Sequence, residues 1–354
     1  MGAARHLPFC WAARSNTSKG LSSNPLDYVA GMVGRHPRLM IALAGEEAAG
    51  VQALRLLAHR GHSVAAVFTD SGDDESSASV ASTAKSLGVP VRAASEVRDP
   101  ELAGWLGECE VELLLSVHSR HLIHPDVLAV PTLGAYNLHP GLLPECAGMN
   151  VPSWALYEGA GRHGVTLHHM TPVYDAGPIV FTDAFDLHGA DTGLSVLMQC
   201  VRRGLRLVEQ LLELVGRGEP VPAHPQDLAC RRWFGAGPPD DGRLDWRRPA
   251  HCVVDFVRAC DYTPFPSPWG FPRCTAHGLD VAVLGASVDQ DRARAEPGTV
   301  AHTQGAGVLI AAADAWVRVE EVEVEGRQLP AVDVFQDGER LALLDGDHRV
   351  NLAS

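Results

Sequence analysis

Asn137, His139 and Asp175 are the residues of this chain whose types and spacing could do chemistry together. Asn137 and His139 end an apolar run and stand two apart, so on a strand both side chains project from one face. Asp175 follows 36 residues beyond His139. An amide N–H can hydrogen-bond a developing oxyanion, and an imidazole can carry a proton. A carboxylate beside the imidazole would raise its pKa. Directly after His139-Pro140 comes Gly141-Leu142-Leu143-Pro144, a turn-type segment that must lie beyond the strand's carboxyl end. Asp175 sits in Tyr174-Asp175-Ala176-Gly177-Pro178, a second turn, after the strand-like Gly164–Met170. One amide, one imidazole and one carboxylate can therefore converge at the edge of a sheet.

Each has a bland counterpart. A histidine before a proline is often a satisfied core residue, and Asn137 and Asp175 have the types and contexts of ordinary turn residues. His168 and His169 alternate on one strand, so at most one faces the site, and both read as structural. Ser153 invites a Ser-His-Asp reading, but its Val-Pro-Ser-Trp-Ala context is not the Gly-x-Ser-x-Gly elbow such hydrolases use.

The elements that must position these residues begin near Arg38. Leu39–Ala44 is a short continuous apolar run, suited to a strand buried on both faces. Ala48–His59 reads as a helix, with Val51, Leu54 and Leu57 at helical spacing and Gly61 as its stop. Ser63–Phe68 is a second buried strand, Ser77–Leu87 a second helix ended at Gly88. Val111–Val117 and Gly134–His139 are further strands. Strands alternating with helices predict a doubly wound parallel sheet, an α/β fold. In such a sheet ligands bind beyond the strands' carboxyl ends, which makes 117–123, 137–144 and Asp175 neighbours of one crevice. Thr192 caps a long amphipathic helix to about Val215, with Leu194, Leu197, Met198, Val201, Leu205, Val208, Leu211, Leu212 and Val215 as its core stripe.

Residues 217–248 are rich in Gly, Pro, Asp and Arg and read as a linker. Arg231-Arg232-Trp233 within it is the sort of cluster that is usually structural or solvated. A helix over Pro249–Cys260 precedes short strands with glycine turns, Leu279–Leu284, Gly298–His302, Gly307–Ala312 and Trp316–Val324, which predict a small barrel-like β domain. The domains are thus 38–216 and 249–354. Residues 1–37 are polar and turn-rich and read as a disordered extension.

Composition narrows the function. The chain has 354 residues, 46% hydrophobic and 20% charged, enough for two domains with their own cores. A net charge of −14 disfavours a partner bound through its phosphate backbone. The eight cysteines form no CxxC pair and read as reduced thiols of a cytoplasmic protein. Seventeen histidines include no HExxH or His/Cys ligand spacing, so no metal site is assigned. No apolar stretch approaches the ~20 residues of a membrane span. The first strand-to-helix turn, Gly45-Glu-Glu-Ala-Ala-Gly50, lacks G-x-G-x-x-G spacing, and its glutamates would repel a pyrophosphate.

Four stretches resemble the folate-dependent formyltransferase family. Tyr136-Asn-Leu-His-Pro-Gly-Leu-Leu-Pro144 resembles its Asn-x-His with a following Ser-Leu-Leu-Pro loop. His121-Leu-Ile-His-Pro125 resembles the segment after the preceding strand. Gly164-Val-Thr-Leu-His-His-Met170 with Tyr174-Asp-Ala-Gly-Pro-Ile179 resembles its Gly-Val-Thr…Leu-Asp-Thr-Gly block. Asp240–Ala250 with Val257-Arg-Ala259 resembles the start of its C-terminal domain. The resemblance implies a Rossmann-like catalytic domain, an OB-like C-terminal barrel, and transfer of a formyl group from 10-formyltetrahydrofolate to an amine. It assigns catalysis to Asn137, His139 and Asp175. It assigns the pterin pocket to the Leu142-Leu143-Pro144 loop and to the segment around His121 and Ile123, largely through backbone contacts. Ile123 also reads as a core residue.

Departures bear on the acceptor. Gly141 stands where the family loop has serine, and Cys146-Ala147-Gly148 leaves no arginine before the glycine, so a contact to folate or acceptor is lost or rebuilt. Ala147–Ala155 looks closer to family members that modify amino sugars or amino acids than to those acting on initiator tRNA. The acidic charge and the absence of a basic inserted loop point the same way. The expected activity is N-formylation of a small amine, an amino sugar or an amino acid such as hydroxyornithine, by an enzyme whose amino-sugar relatives suggest a homodimer. The alternatives are methionyl-tRNA formyltransferase and a hydrolase of 10-formyltetrahydrofolate.

Overall fold

The computed structural model describes residues 38–70, 72, 79–289, 291–303, 305 and 307–342. The extension expected over 1–37 lies outside those residues. Unalternated apolar runs make the central strands, as strands covered on both faces require. β1 (Met40–Gly45) leads through α1 (Glu47–His59) to β2 (Ser63–Phe68). α2 (Val80–Ser86) opens on a Ser79–Ser82 capping box. β3 (Val91–Arg92), α3 (Leu102–Glu108), β4 (Leu113–Val117) and α4 (Pro125–Leu128) then lead to β5 (Ala135–His139). Beyond it come β6 (Ala147–Gly148), α5 (Val151–Tyr157), β7 (Arg162–His169), β8 (Ile179–Asp186) and the long α6 (Gly193–Gly216).

Seven of these strands form one sheet in the order β3-β2-β1-β4-β5-β7-β8. The first five run parallel, whereas β7 is antiparallel to β5 and β8 to β7. The sheet is therefore mixed, and the expectation of a parallel sheet fails at its last two strands. A parallel neighbour needs a crossover that carries the chain back to the sheet's other end. Here the loop after β5 and the short α5 keep the chain at the same end, so β7 enters beside His139 and runs the other way. That reversal sets His139 opposite Thr166 and Asn137 opposite His168.

The Thr192 cap of α6 is as predicted, a capping box with Ser195. The buried stripe of α6 is rotated from the expected one. Val196, Cys200, Gly204 and Leu207 join Val201, Val208, Leu211, Leu212 and Val215 inside, while Met198 is exposed and Leu194, Leu197 and Leu205 are half-buried. Gly204 explains the rotation. A Cβ there would stand 2.7 Å from Leu138 Cδ2, so the helix seats its glycine on the residue between Asn137 and His139.

β9 (Trp233–Phe234) and α7 (Ala250–Ala259) precede the C-terminal strands. These are β10 (Arg273–Ala276), β11 (Leu279–Val283), β12 (Ala286–Asp289), β13 (Val300–His302), β14 (Val308–Ala311), β15 (Trp316–Val319), β16 (Glu321–Val324) and β17 (Arg327–Pro330). They form two antiparallel sheets, β10-β11-β16-β17 and β12-β15-β14-β13. The expected closed barrel is not formed, because the Leu284-Gly285 corner passes the chain from one sheet to the other without pairing β11 to β12. Val281, Val308, Val317 and Val319 share one apolar cluster with Trp246, Phe256, Leu138 and Val208.

Candidate active site

At the end of β5, Tyr136 and Leu138 face the core cluster, which leaves Asn137 and His139 on the opposite face. His139 is 4% exposed. Its Nε2 lies 2.6 Å from the Cys146 carbonyl, an acceptor, so Nε2 carries a hydrogen and donates it. Its Nδ1 stands 3.5 Å from Asp175 Oδ1. Burial lowers the His139 pKa, while Asp175 and the Cys146 carbonyl pull it up. The net shift is downward, opposite to the rise expected from the carboxylate alone.

The loop after His139 is folded tightly against it. A Cβ on Gly141 would lie 2.6 Å from the Cys146 oxygen and 2.8 Å from His139 Nε2. Thr166 on β7 fastens the same loop: its hydroxyl donates to the Gly141 carbonyl at 2.7 Å and accepts from Leu143 N–H at 3.2 Å. The absence of a side chain at Gly141 is thus what lets the loop close on the imidazole.

The 170–178 connection turns back so that Asp175, 9% exposed, reaches the imidazole. Asp175 takes a left-handed backbone, φ +49°, tolerated by aspartate better than by most residues. Burial would raise its pKa, but the facing His139 and His168 imidazoles and the Gly148 N–H, 2.9 Å from Oδ2, together hold it well below the usual carboxylate range. The Asp175 side chain is a fixed anion.

His168 belongs to this centre, although the alternation of His168 and His169 gave no reason to prefer either. Its Nδ1 donates to the His169 carbonyl at 2.8 Å, which leaves Nε2 to accept from Asn137 Nδ2 at 3.0 Å. The same Nε2 stands 3.7 Å from Asp175 Oδ1. Asn137 keeps one amide hydrogen for another acceptor. The signal for His168 lies in the strand register, since only an antiparallel β7 sets it opposite Asn137.

Residues 224–234 run as a strap over both loops. Gln226 Nε2 donates to the carbonyls of Asp175 at 3.0 Å and Gly177 at 2.6 Å. Arg231 donates to the Tyr174 carbonyl at 2.8 Å and stacks over Trp233. Arg232 pairs with Glu158. β9 pairs in parallel with β6, beside Gly148. Arg231 and Arg232 are therefore engaged structurally, in keeping with the ordinary reading of that cluster.

The residues assigned to the pterin pocket separate into two places. His121 and Ile123 line an open cleft of about 430 Å³ together with Arg98, Arg120, Leu122 and Tyr174. Ile123 is also fully buried in the second core cluster, and His121 Nε2 lies 2.9 Å from Asp70 Oδ2. Leu142, Leu143 and Pro144 lie in the loop against His139, with Leu143 buried, and are not among the residues that line the cleft. Tyr174, the sequence neighbour of Asp175, is among the residues that line the cleft.

A family model described as formyl transferase matches residues 38–203, and one described as formyl transferase, C-terminal domain, matches residues 238–340. Among solved structures, HypX from Aquifex aeolicus in complex with tetrahydrofolic acid is similar over 84% of this chain, at 21% identity and a TM-score of 0.58. The chain spans 46% of that protein, about half its length. An N-formyltransferase from Helicobacter canadensis, in complex with folinic acid and dTDP-3-aminofucose, is similar over 79% of this chain and 98% of its own, at 13% identity and a TM-score of 0.62. WlaRD, a sugar 3N-formyl transferase crystallised with dTDP and 5-N-formyl-THF, is similar over 82% of this chain and 99% of its own, at 12% identity and a TM-score of 0.60. At these identities the likeness shows a common fold.

Proposed function

The chain belongs to the formyltransferase family, and on that premise we propose that it moves the formyl group of 10-formyltetrahydrofolate to the amine of a small molecule. The observation that carries this reading is the convergence of Asn137, His139 and Asp175, with His139 Nδ1 3.5 Å from Asp175 and the cleft at Tyr174 alongside. The cleft suits the donor. Its volume of about 430 Å³ lies within the range of small-molecule pockets, roughly 300–1,000 Å³. Ile123 and Leu122 offer apolar walls for a flat ring, and Arg98 and His121 offer polar and cationic groups for ring edges and carboxylates. The tetrahydrofolic acid held by HypX and the folinic acid held by the Helicobacter enzyme support a folate donor.

The donor supplies a formyl carbon, and attack by a neutral amine places negative charge on its oxygen. Asn137 offers its second amide hydrogen to that oxygen. His139 offers Nε2–H, the oxygen taking over the place the Cys146 carbonyl holds in the resting site. Donors of this kind contribute about 3–4 kcal/mol each in comparable centres. Asp175 stabilises positive character on His139 as the oxyanion forms, and His168 and Gln226 hold Asn137 and Asp175 in place.

The acceptor in this reading is an amino sugar or an amino acid such as hydroxyornithine. The Ala147–Ala155 stretch and the dTDP-3-aminofucose bound by the Helicobacter enzyme support a small amine. The experiment supplies 10-formyltetrahydrofolate with a panel of such amines, with charged initiator tRNA, and with water alone, and follows tetrahydrofolate release. Release that depends on one of the amines is expected. Release that depends only on tRNA would assign a methionyl-tRNA formyltransferase, and release without any acceptor would assign a hydrolase.

A further inference from the structure

Three neighbouring parallel strands end side by side at this site. Gly45 of β1 pairs with Val117 of β4, and Val117 with Leu138 of β5. Next along the three strands come Glu46-Glu47, His118 and His139, and the strand order β1-β4-β5 sets His118 between the other two; the Glu46 side chain is taken up by Thr69 and Asp70. Glu47 and His118 are both held in left-handed backbone, each at φ +57°, a conformation uncommon outside glycine and concentrated at functional sites. His118 Nδ1 lies 4.0 Å from Glu47 Oε2, and Arg120 holds the other Glu47 oxygen at 3.0 Å. The His118 side chain is 9% exposed and that of Glu47 50%. Burial drives the His118 pKa down to about 4, against the pull of Glu47 and with a further push from His139. At neutral pH its imidazole is therefore uncharged and able to accept a proton.

The polar atoms at the centre of the site are already committed. Nε2 of His139 donates to Cys146, its Nδ1 faces Asp175, and Asn137 is tied to His168. The one bare ring nitrogen of His139, Nδ1, is turned to the Asp175 carboxylate. Among the described residues, neither ring nitrogen of His118 has a hydrogen-bond partner, and its nearest ionic neighbour is Glu47.

We propose that His118 is a further catalytic residue, the base that receives the acceptor amine, with Glu47 and Arg120 as its positioning residues. The inference rests on the formyl-transfer reading and names the acceptor's reactive group as a primary amine, drawn in by the half-exposed Glu47 carboxylate. The amine lone pair forms the new N–C bond to the formyl carbon, and the carbonyl π pair moves to oxygen. The proton on the attacking nitrogen passes to His118 Nε2, while Nδ1–H faces Glu47. The oxygen pair then restores the carbonyl, the bond from carbon to folate N10 breaks, and N10 takes the proton back from His118.

The test compares the full-length enzyme with His118→Gln, His118→Ala and Glu47→Gln. Each is assayed for kcat, KM and pH profile with the active amine, and for equilibrium binding of tetrahydrofolate. His118→Gln is expected to lose roughly 100-fold or more in kcat, the scale of general base catalysis, with folate affinity unchanged. Its profile should lose the acid limb, because that limb reports protonation of the base. Added imidazole should restore part of the rate to His118→Ala. Glu47→Gln should move the acid limb to lower pH, since the imidazolium loses its counter-charge. A His118→Gln enzyme with wild-type kcat and an unmoved limb overturns the proposal and leaves formyl transfer standing. Should His118→Gln fail to fold, an unmoved limb in Glu47→Gln overturns it alone. Absence of amine-dependent transfer in the unaltered enzyme overturns the formyl-transfer reading and this proposal with it.

Discussion

Asn137 Nδ2 lies 3.0 Å from His168 Nε2 because antiparallel pairing of β5 and β7 sets the two residues directly opposite. The pair orients the amide: with Nδ2 committed to the imidazole, the remaining hydrogen has one direction to point. His168→Ala is expected to lower kcat by roughly tenfold to a hundredfold, less than outright loss of an oxyanion donor, which costs about 10²–10³. The donor KM should change little. Steady-state kinetics separates the two effects, and a fall confined to KM would contradict the assigned role.

Gly141 gives a packing prediction. Serine at this position would bring Cβ to 2.6 Å from the Cys146 oxygen and 2.8 Å from His139 Nε2. Gly141→Ser should therefore open the loop and break the His139–Cys146 contact, at a cost of about 1–3 kcal/mol, as for other overpacked sites. Thermal unfolding reads the cost, and the imidazole proton resonances of His139 read the lost hydrogen bond.

Gln226 acts on Asp175 through the backbone. Removing its amide leaves the carbonyls of Asp175 and Gly177 without their donor, a loss of about 1–2 kcal/mol for the pair. Gln226→Ala should lower kcat several-fold and broaden the pH dependence, while Gln226→Glu should do worse by setting a carboxylate against two carbonyl oxygens. Equal, unchanged pH–rate profiles for wild type and Gln226→Ala would show that the strap does not hold the carboxylate.

His163 gives a stability prediction with a fixed sign. It is buried on β7, donates Nε2–H to the Pro140 carbonyl at 2.9 Å, and its Nδ1 has no partner. Burial drives its pKa down to about 4 from the ordinary 6.5. Between those values the unfolded chain takes up a proton that the folded chain refuses, so folding stability falls as pH falls through this window and is unaffected above it. His118 and His139 shift the same way and add to the effect. Urea midpoints measured from pH 7 to pH 4 should drop less steeply in His163→Gln than in the wild type.

Much of this site is visible in the residue pattern, and the remainder depends on geometry that pattern does not carry. The buried strands, the Thr192 cap and the Asn137–His139 spacing follow from local periodicity and capping chemistry, which are properties of a few neighbouring residues. Strand direction is not. Alternating strands and helices suggested β7 parallel, and only its reversal brings His168 to Asn137. Burial outweighs Asp175 in setting the His139 charge, a balance that depends on packing by distant parts of the chain. Gln226 lies in a stretch that reads as a linker, because side-chain bonds to backbone carbonyls leave no periodic trace. The α6 stripe turned because Gly204 meets Leu138, a contact between residues 66 apart in sequence.

In the proposed function Asn137, His139 and Asp175 act as one formyl-transfer centre. Single-turnover transfer of an isotopically labelled formyl group from 10-formyltetrahydrofolate to the active amine tests it most directly, in the wild type and in Asn137→Ala, His139→Ala and Asp175→Asn. Label is expected in the amine product with the wild type, with transfer at least about a hundredfold slower in Asn137→Ala and His139→Ala. A comparable loss is expected in Asp175→Asn with donor binding retained. Label transferred at the wild-type rate by any of the three variants would contradict it.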